Sequence, residues 1–84
     1  MKNKKLLQRI LAGMNNVHFH DLQKLVEAYG FKLDRINGSH HIYEHPDLPE
    51  MVNFQEIKGK AKPYQVRQFF ALVEKYNLSL GENE

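Results

Sequence analysis

The sequence predicts one small α+β domain, in which a three-stranded antiparallel sheet carries helices on one of its faces. Three observations lead to this fold class. Apolar residues repeat at helical spacing near both ends, the middle of the chain alternates with a period of two, and tight-turn residues separate the alternating runs. With 84 residues, the chain has room for a single domain.

Two helices are predicted in the N-terminal part. Residues 2–14 place their leucines, isoleucine and methionine on one face, and Gly13 and the asparagines after it end the helix. A second amphipathic stripe covers residues 20–29. Asp21 suits the start of this helix, where a carboxylate meets the positive end of the helix dipole, and Gly30 suits its C-terminal cap.

Three strands follow. Residues 31–36 alternate with a period of two, and Asn37-Gly38 is a tight-turn sequence. A second strand is predicted over residues 40–45. After a loop that contains two prolines, residues 51–55 form the third strand.

The C-terminal part is predicted to hold the last helix. Residues 58–62 are polar and are expected to be a flexible segment, and Pro63 suits the first turn of a helix. The apolar stripe of that helix is expected to lie in the core, and it consists of Val66, Phe69, Phe70, Val73 and Tyr76.

The element order is therefore α-α-β-β-β-α. This layout matches a double-stranded-RNA-binding-type fold with an additional helix at its N-terminus. We expect the additional helix over residues 1–17, the main domain over 18–78 and a disordered tail over 79–84.

Composition excludes some classes of site. There is no cysteine, so disulfides and zinc sites with thiolate ligands are impossible. No apolar run is long enough to span a bilayer, and a soluble cytoplasmic protein without membrane association is expected.

Charge is unevenly distributed along the chain. Residues 1–35 carry seven Lys/Arg against three Asp/Glu, and residues 58–68 carry four Lys/Arg and no acid. Residues 36–57 between them carry four acids and no Lys/Arg. The two basic zones are suited to a polyanion such as RNA, although solvated surface lysines explain them equally well.

Histidine is the side chain best suited to proton transfer near neutral pH, and the sequence has five of them: His18, His20, His40, His41 and His45. RNA cleavage requires a base for the ribose 2′-OH and an acid for the departing 5′ oxygen. Neighbouring strand residues point to opposite faces, so only one of His40 and His41 can meet a substrate on the open face. The alternation leaves open which one, and both can also be ordinary strand residues.

Two other features bear on ligands. The histidines at 18 and 20 and those at 41 and 45 are possible metal-ligand pairs, but no carboxylate completes a ligand pattern, and no metal site is predicted. Lys58, Lys60 and Lys62 lead into a helix N-terminus, which favours a phosphate contact as much as a solvated linker.

Several spaced motifs together resemble the HicA family of toxin mRNA interferases. They are Gly30-Phe31, the run from Arg35 through Gly38-Ser39-His40-His41 to Tyr43, His45-Pro46, and the segment from Lys60 to Gln68 that leads into the last helix. The resemblance covers roughly residues 21–78.

The resemblance implies a double-stranded-RNA-binding-type fold and cleavage of mRNA without a metal or small-molecule cofactor. It also implies neutralisation by a HicB-type antitoxin. The family's catalytic histidine follows Gly-Ser, which here is His40, with His41 as the second choice. The expected RNA contacts are Gly38, Ser39, Lys58, Lys60, Lys62 and Arg67. A non-catalytic RNA-binding module and a protein-interaction module are the alternative functions.

Overall fold

A computed structural model describes residues 2–81. Three helices and four strands follow one another in the order α1 Lys2–Ala12, α2 Phe19–Ala28, β1 Lys32–Asn37, β2 His40–Glu44, β3 Val52–Ile57, β4 Lys60–Ala61 and α3 Pro63–Lys75. The strands form one antiparallel sheet in the order β1-β2-β3-β4. The α+β class and the double-stranded-RNA-binding-type arrangement of α2, the sheet and α3 are confirmed, with α1 as the additional helix.

The prediction of three strands and a flexible segment over residues 58–62 is wrong. Lys58 and Gly59 both have positive φ, 52° and 77°, and form a two-residue hairpin turn between β3 and β4. Lysine is unusual in this backbone conformation, and β4 has only two residues. Residues 58–61 therefore lack the asparagine or glycine that usually begins such a turn, and β4 is too short for an alternation of apolar and polar residues to indicate a strand.

The outer edge of β4 is covered by the chain that enters α2. The Phe19 N–H donates to the Gly59 carbonyl, and the Ala61 N–H donates to the Val17 carbonyl, each at 2.9 Å. The opposite edge of the sheet is β1, where a bulge at Asp34 shifts the pairing between Leu33 and Arg35. Bulges and charged residues are common devices that keep such edges from pairing with other chains.

The core is centred on the Phe69 ring of α3. Four other rings lie around it with centroids 5.5–5.9 Å away, in tilted or edge-on orientations, and these are Tyr29, Phe31, Phe54 and Phe70. The helix α1 adds Leu6 and Ile10, which are both buried. The prediction that the apolar stripe of the last helix lies in the core is confirmed for Val66 and Phe69, which are almost fully buried.

The loop between β2 and β3 is tied to the end of α3 through Glu50. The Tyr76 hydroxyl donates to Glu50 Oε2 at 2.6 Å, and Lys75 Nζ donates to the same oxygen at 3.0 Å. These hydrogen bonds, that from Tyr76 first, hold the pKa of the Glu50 carboxyl below its usual value. The contact fixes the side of the loop that lies next to β3.

Of the tail predicted over residues 79–84, the structure describes Ser79 to Gly81. The Gly81 N–H donates to the Ala28 carbonyl at 2.8 Å, and the rest of that segment lies outside the described residues. Within residues 2–81, no helix has the length and apolar character needed to cross a membrane.

Candidate active site

The pairing of β2 shows which of the two adjacent histidines faces the helices. Tyr43 is 1% exposed, and the His41 ring lies 4.7 Å from the Phe19 ring of α2. Because alternate strand residues share a face, His41 and Tyr43 point toward the helices while His40 and Ile42 point away from them. His40 is thus the histidine on the face that the helices leave uncovered.

The His40 ring is held by Asn53 on the neighbouring strand. Its Nδ1 lies 3.1 Å from Asn53 Oδ1. An amide oxygen only accepts hydrogen bonds, so Nδ1 carries the proton in the neutral ring. The Nε2 atom then keeps its lone pair, which is the form that a general base requires.

Cross-strand register identifies the rest of this uncovered surface, which we call the open face. Asn37 pairs with His40, and Arg35 pairs with Ile42. On the other side, His40 pairs with Gln55 and Ile42 pairs with Asn53. Paired residues share a face of the sheet, so the open face comprises Arg35, Asn37, His40, Ile42, Asn53 and Gln55, to which alternation along β3 adds Ile57 and its partner Lys60. Arg35 forms an ion pair with Asp34 beside it.

Both hairpin turns lie at the end of the sheet where β2 begins. Gly38, with φ 65°, and Ser39 form the turn from β1 to β2, and Lys58 belongs to the turn from β3 to β4. The Glu56 N–H donates to the Ser39 carbonyl at 3.0 Å, and Gln55 Nε2 donates to Ser39 Oγ at 3.3 Å. The structure therefore brings Gly38, Ser39 and Lys58 to the same end of the sheet as His40.

Of the other predicted RNA contacts, Lys60 pairs with Ile57 and so shares the open face, while Lys62 and Arg67 belong to the start and the body of α3. Lys60 Nζ donates to Asn16 Oδ1 at 2.7 Å, near the covered edge of β4. Lys62 precedes the first turn of α3, with its Nζ 5.8 Å from the centre of the Tyr64 ring. Arg67 is exposed on α3, in the helical layer on the side of the sheet opposite the open face.

The Gly-Phe and His-Pro motifs meet in space. The His45 ring lies edge-on to the Phe31 ring at 5.0 Å, and its Nδ1 accepts a hydrogen bond from the Asp47 N–H at 3.1 Å. Gly30 has φ 96°, and a Cβ placed on it would lie 2.9 Å from His45 Nε2. This part of the motif set holds the loop after β2 and is remote from the open face.

Gly30→Ala is expected to lower the free energy of unfolding by about 1–3 kcal/mol, because alanine is strained at positive φ and its Cβ displaces the His45 ring. Urea unfolding followed by circular dichroism measures the loss. Gly38→Ala is a matched control, since it also has positive φ but no atom within 4 Å of the added Cβ. An equal or larger loss in Gly38→Ala would contradict a role for the His45 contact.

The remaining histidines are not next to His40, although the pairing of His18 with Lys60 places His18 at the far edge of the open face. His18 bridges to Lys60 at the edge of β4, and His20 is exposed on α2. Among residues 2–81, no three or more histidine, aspartate or glutamate side chains come together in a group that can hold a metal ion.

Sequence reasoning did not anticipate that Asn53 and Arg35 lie on the open face with His40. Asn53 lies within the predicted third strand, but its proximity to His40 follows from the register of β2 on β3, which alternation alone does not fix. Arg35 reaches the open face because of the bulge at Asp34, which a strict period of two does not anticipate.

Comparison with known families agrees with this arrangement. The family model described as HicA toxin of bacterial toxin–antitoxin matches residues 19–74, about two thirds of the chain. The match begins at the first residue of α2, includes the open face and ends within α3. Searches of curated proteins and of solved structures gave no significant match. With the predicted fold, the Gly-Ser-His turn and this match in agreement, the chain belongs to the HicA family of bacterial toxins.

Proposed function

We propose that this toxin is an mRNA endoribonuclease in which His40 performs general acid–base catalysis. The observation that carries the proposal is the placement of His40, which is only half-buried on the open face with Nδ1 held by Asn53. A catalytic imidazole needs this combination of a fixed ring and an accessible second nitrogen.

The proposed reaction is an internal transesterification of RNA. His40 Nε2 takes the proton of a ribose 2′-OH as its oxygen attacks the adjacent phosphorus. The bond from phosphorus to the 5′ oxygen breaks, and that oxygen takes up a proton from the imidazolium or from water. The products carry a 2′,3′-cyclic phosphate and a 5′-OH. Every step in this scheme proceeds without a metal ion or an organic cofactor.

Two cations are suited to contact the phosphate. Arg35 lies on the open face, and Lys58 lies in the turn at the same end of the sheet as His40. Positive charge near the phosphorus stabilises the charge that develops in the transition state. Backbone N–H groups of the Gly38-Ser39 turn are further candidates. Lys60, further along the same face, and Lys62 and Arg67, at the start and in the body of α3, are assigned to contacts with the RNA chain outside the reacting phosphate.

We also propose a HicB-type antitoxin as the partner, acting in the cytoplasm, where mRNA is available. The family consists of toxins from toxin–antitoxin systems, which supports a neutralising protein. An antitoxin that covers the open face excludes RNA from His40.

Incubation of purified protein with RNA in excess EDTA tests the proposal. Cleavage is expected to continue in EDTA, and induced expression in bacteria is expected to arrest growth. RNA binding that weakens with salt, without any cleavage, would instead support a non-catalytic RNA-binding module. No RNA binding even at low salt would favour a protein-interaction module.

Asn53→Ala is expected to slow RNA cleavage, since the His40 ring loses the acceptor that orients it and fixes its tautomer. The loss should be smaller than that of His40→Ala, because the imidazole itself remains. Single-turnover rates at saturating protein measure the effect. Asn53 is exposed, so its loss is expected to change stability by about 0.5 kcal/mol or less. A rate equal to that of the unmodified protein would contradict the positioning role.

A further inference from the structure

We propose that the groove between β3 and α3 binds one unpaired nucleobase of RNA next to the His40 site. The groove has a volume of about 490 Å³ and opens to solvent between the two elements. Its lining combines apolar surface with amide groups from Met51, Asn53, Tyr64, Gln65 and Gln68, and includes the Glu50 carboxylate, which accepts hydrogen bonds from Lys75 and Tyr76. The proposal takes its ligand class, RNA, from the function proposed above.

The groove exists because β4 is too short to cover β3. Its two residues pair with Glu56 and Ile57, which leaves Val52 to Gln55 without a neighbouring strand on that side. The Gln65 side chain takes the place of the missing strand at one position, where its Oε1 accepts the Gln55 N–H at 2.8 Å.

The main chain of Asn53 points into this uncovered side. In an antiparallel strand, the N–H and carbonyl of one residue point to the same side, and those of the next residue point to the other side. The Glu56 N–H donates to Ser39 of the β1–β2 turn, so the main-chain groups of Glu56 and of every second residue before it point toward β2. Asn53 is three residues before Glu56, so its N–H and carbonyl point the other way, toward the groove. A donor and an acceptor side by side on a strand edge match the hydrogen-bonding edge of a nucleobase.

Tyr64 supplies the stacking surface. Tyr64 lines the groove and the residue is 49% exposed, although it stands in the first turn of a helix that otherwise packs against the sheet. Lys62 Nζ lies over one face of the ring, 5.8 Å from its centre, so a base is expected to stack on the other face with this positive charge close to its phosphate. Exposed aromatic rings beside cations are the usual stacking platforms for single-stranded RNA.

Asn53 connects the groove to the proposed catalytic site. Its main chain borders the groove, and its side-chain oxygen contacts His40 Nδ1 at 3.1 Å. A base held in the groove is therefore separated from the reacting ribose at His40 by a single residue, Asn53. This base is then the part of the substrate that the protein can select.

The test uses short oligouridine RNA that carries one 2-aminopurine and is 2′-O-methylated throughout, so that it cannot be cleaved. Binding to the full chain is expected to quench the 2-aminopurine fluorescence through stacking on Tyr64. Tyr64→Leu should remove most of the quenching and weaken binding roughly ten- to hundredfold. Tyr64→Phe should preserve both, and Leu11→Ala, an exposed apolar residue on α1, serves as the control.

Two results overturn the proposal. One is the absence of quenching by the unmodified protein at saturation, a measurement that requires no variant. The other is a folded Tyr64→Leu protein that binds the oligonucleotide and quenches its fluorescence as the unmodified protein does. This holds also if the variant loses affinity for an antitoxin, because Tyr64 would then serve a protein contact. If quenching depends on Tyr64 but the protein cuts no RNA, the base-binding site is supported and the nuclease function is refuted. If the protein cuts RNA but Tyr64→Leu changes neither quenching nor binding, the nuclease function is supported and the base-binding site is refuted.

Discussion

His40→Ala is expected to abolish RNA cleavage, lowering the rate by about 10²–10⁴-fold, because the base for the 2′-OH is lost. The fold should persist. His40 is half-buried on the open face, and its side chain hydrogen-bonds the exposed Asn53, so the free energy of unfolding should change by about 0.5 kcal/mol or less. The measurements are single-turnover cleavage in EDTA and urea unfolding of the same preparation.

His41→Ala is the matched control, since it removes the same side chain from the next residue. Its ring packs on Phe19, so the change should lower stability while cleavage by the folded fraction persists. The two variants are therefore distinguished by what they lose: His40→Ala loses the cleavage rate and keeps stability, whereas His41→Ala loses stability and keeps the cleavage rate. Cleavage that survives in a folded His40→Ala protein and disappears in His41→Ala would reverse the assignment.

Phe69→Ala is expected to have the largest effect on stability, a loss of about 3–5 kcal/mol in the free energy of unfolding. The ring is 1% exposed and lies at the centre of the other aromatic rings of the core. A small domain has only about 5–15 kcal/mol of net stability, so this variant should be partly unfolded at physiological temperature. Thermal unfolding followed by circular dichroism measures the change.

Phe70→Ala is the control for that experiment. Phe70 is the neighbouring phenylalanine on α3, but it is only partly buried against the core. Its loss should be clearly smaller, because less apolar surface is removed from the interior and a smaller cavity remains. Equal losses for the two variants would show that the core is not centred on Phe69.

The helices were predictable because each buries a stripe of its own sequence. Leu22, Leu25 and Val26 on α2 and Val66 and Phe69 on α3 repeat at helical spacing and are buried as that spacing predicts. The hairpin from β3 to β4 was not predictable, since it depends on a lysine with positive φ and on hydrogen bonds to Val17 and Phe19. Those partners are distant in sequence, and local pattern contains no information about them.

The site was partly predictable. Strand alternation predicted that only one of the two adjacent histidines faces a substrate, and the family resemblance indicated His40. The structure shows that His40 lies on the open face. Its contact with Asn53 depends on strand register, and the groove beside Tyr64 depends on where β4 ends. Both are properties of the assembled sheet. The basic segment around Lys60 could be predicted as a charged stretch, but the face on which Lys60 lies depends on the pairing of β4 with β3.

The chemical identity of the RNA ends made by the unmodified protein in EDTA tests the central claim most directly. If His40 activates the ribose 2′-OH, mass spectrometry of the fragments will show 2′,3′-cyclic phosphate and 5′-OH ends, and RNA with a 2′-deoxy nucleotide at the cleavage position will stay intact. Fragments with 3′-OH and 5′-phosphate ends, or cleavage of the deoxy-substituted RNA, would contradict the account, because water would then be the attacking group.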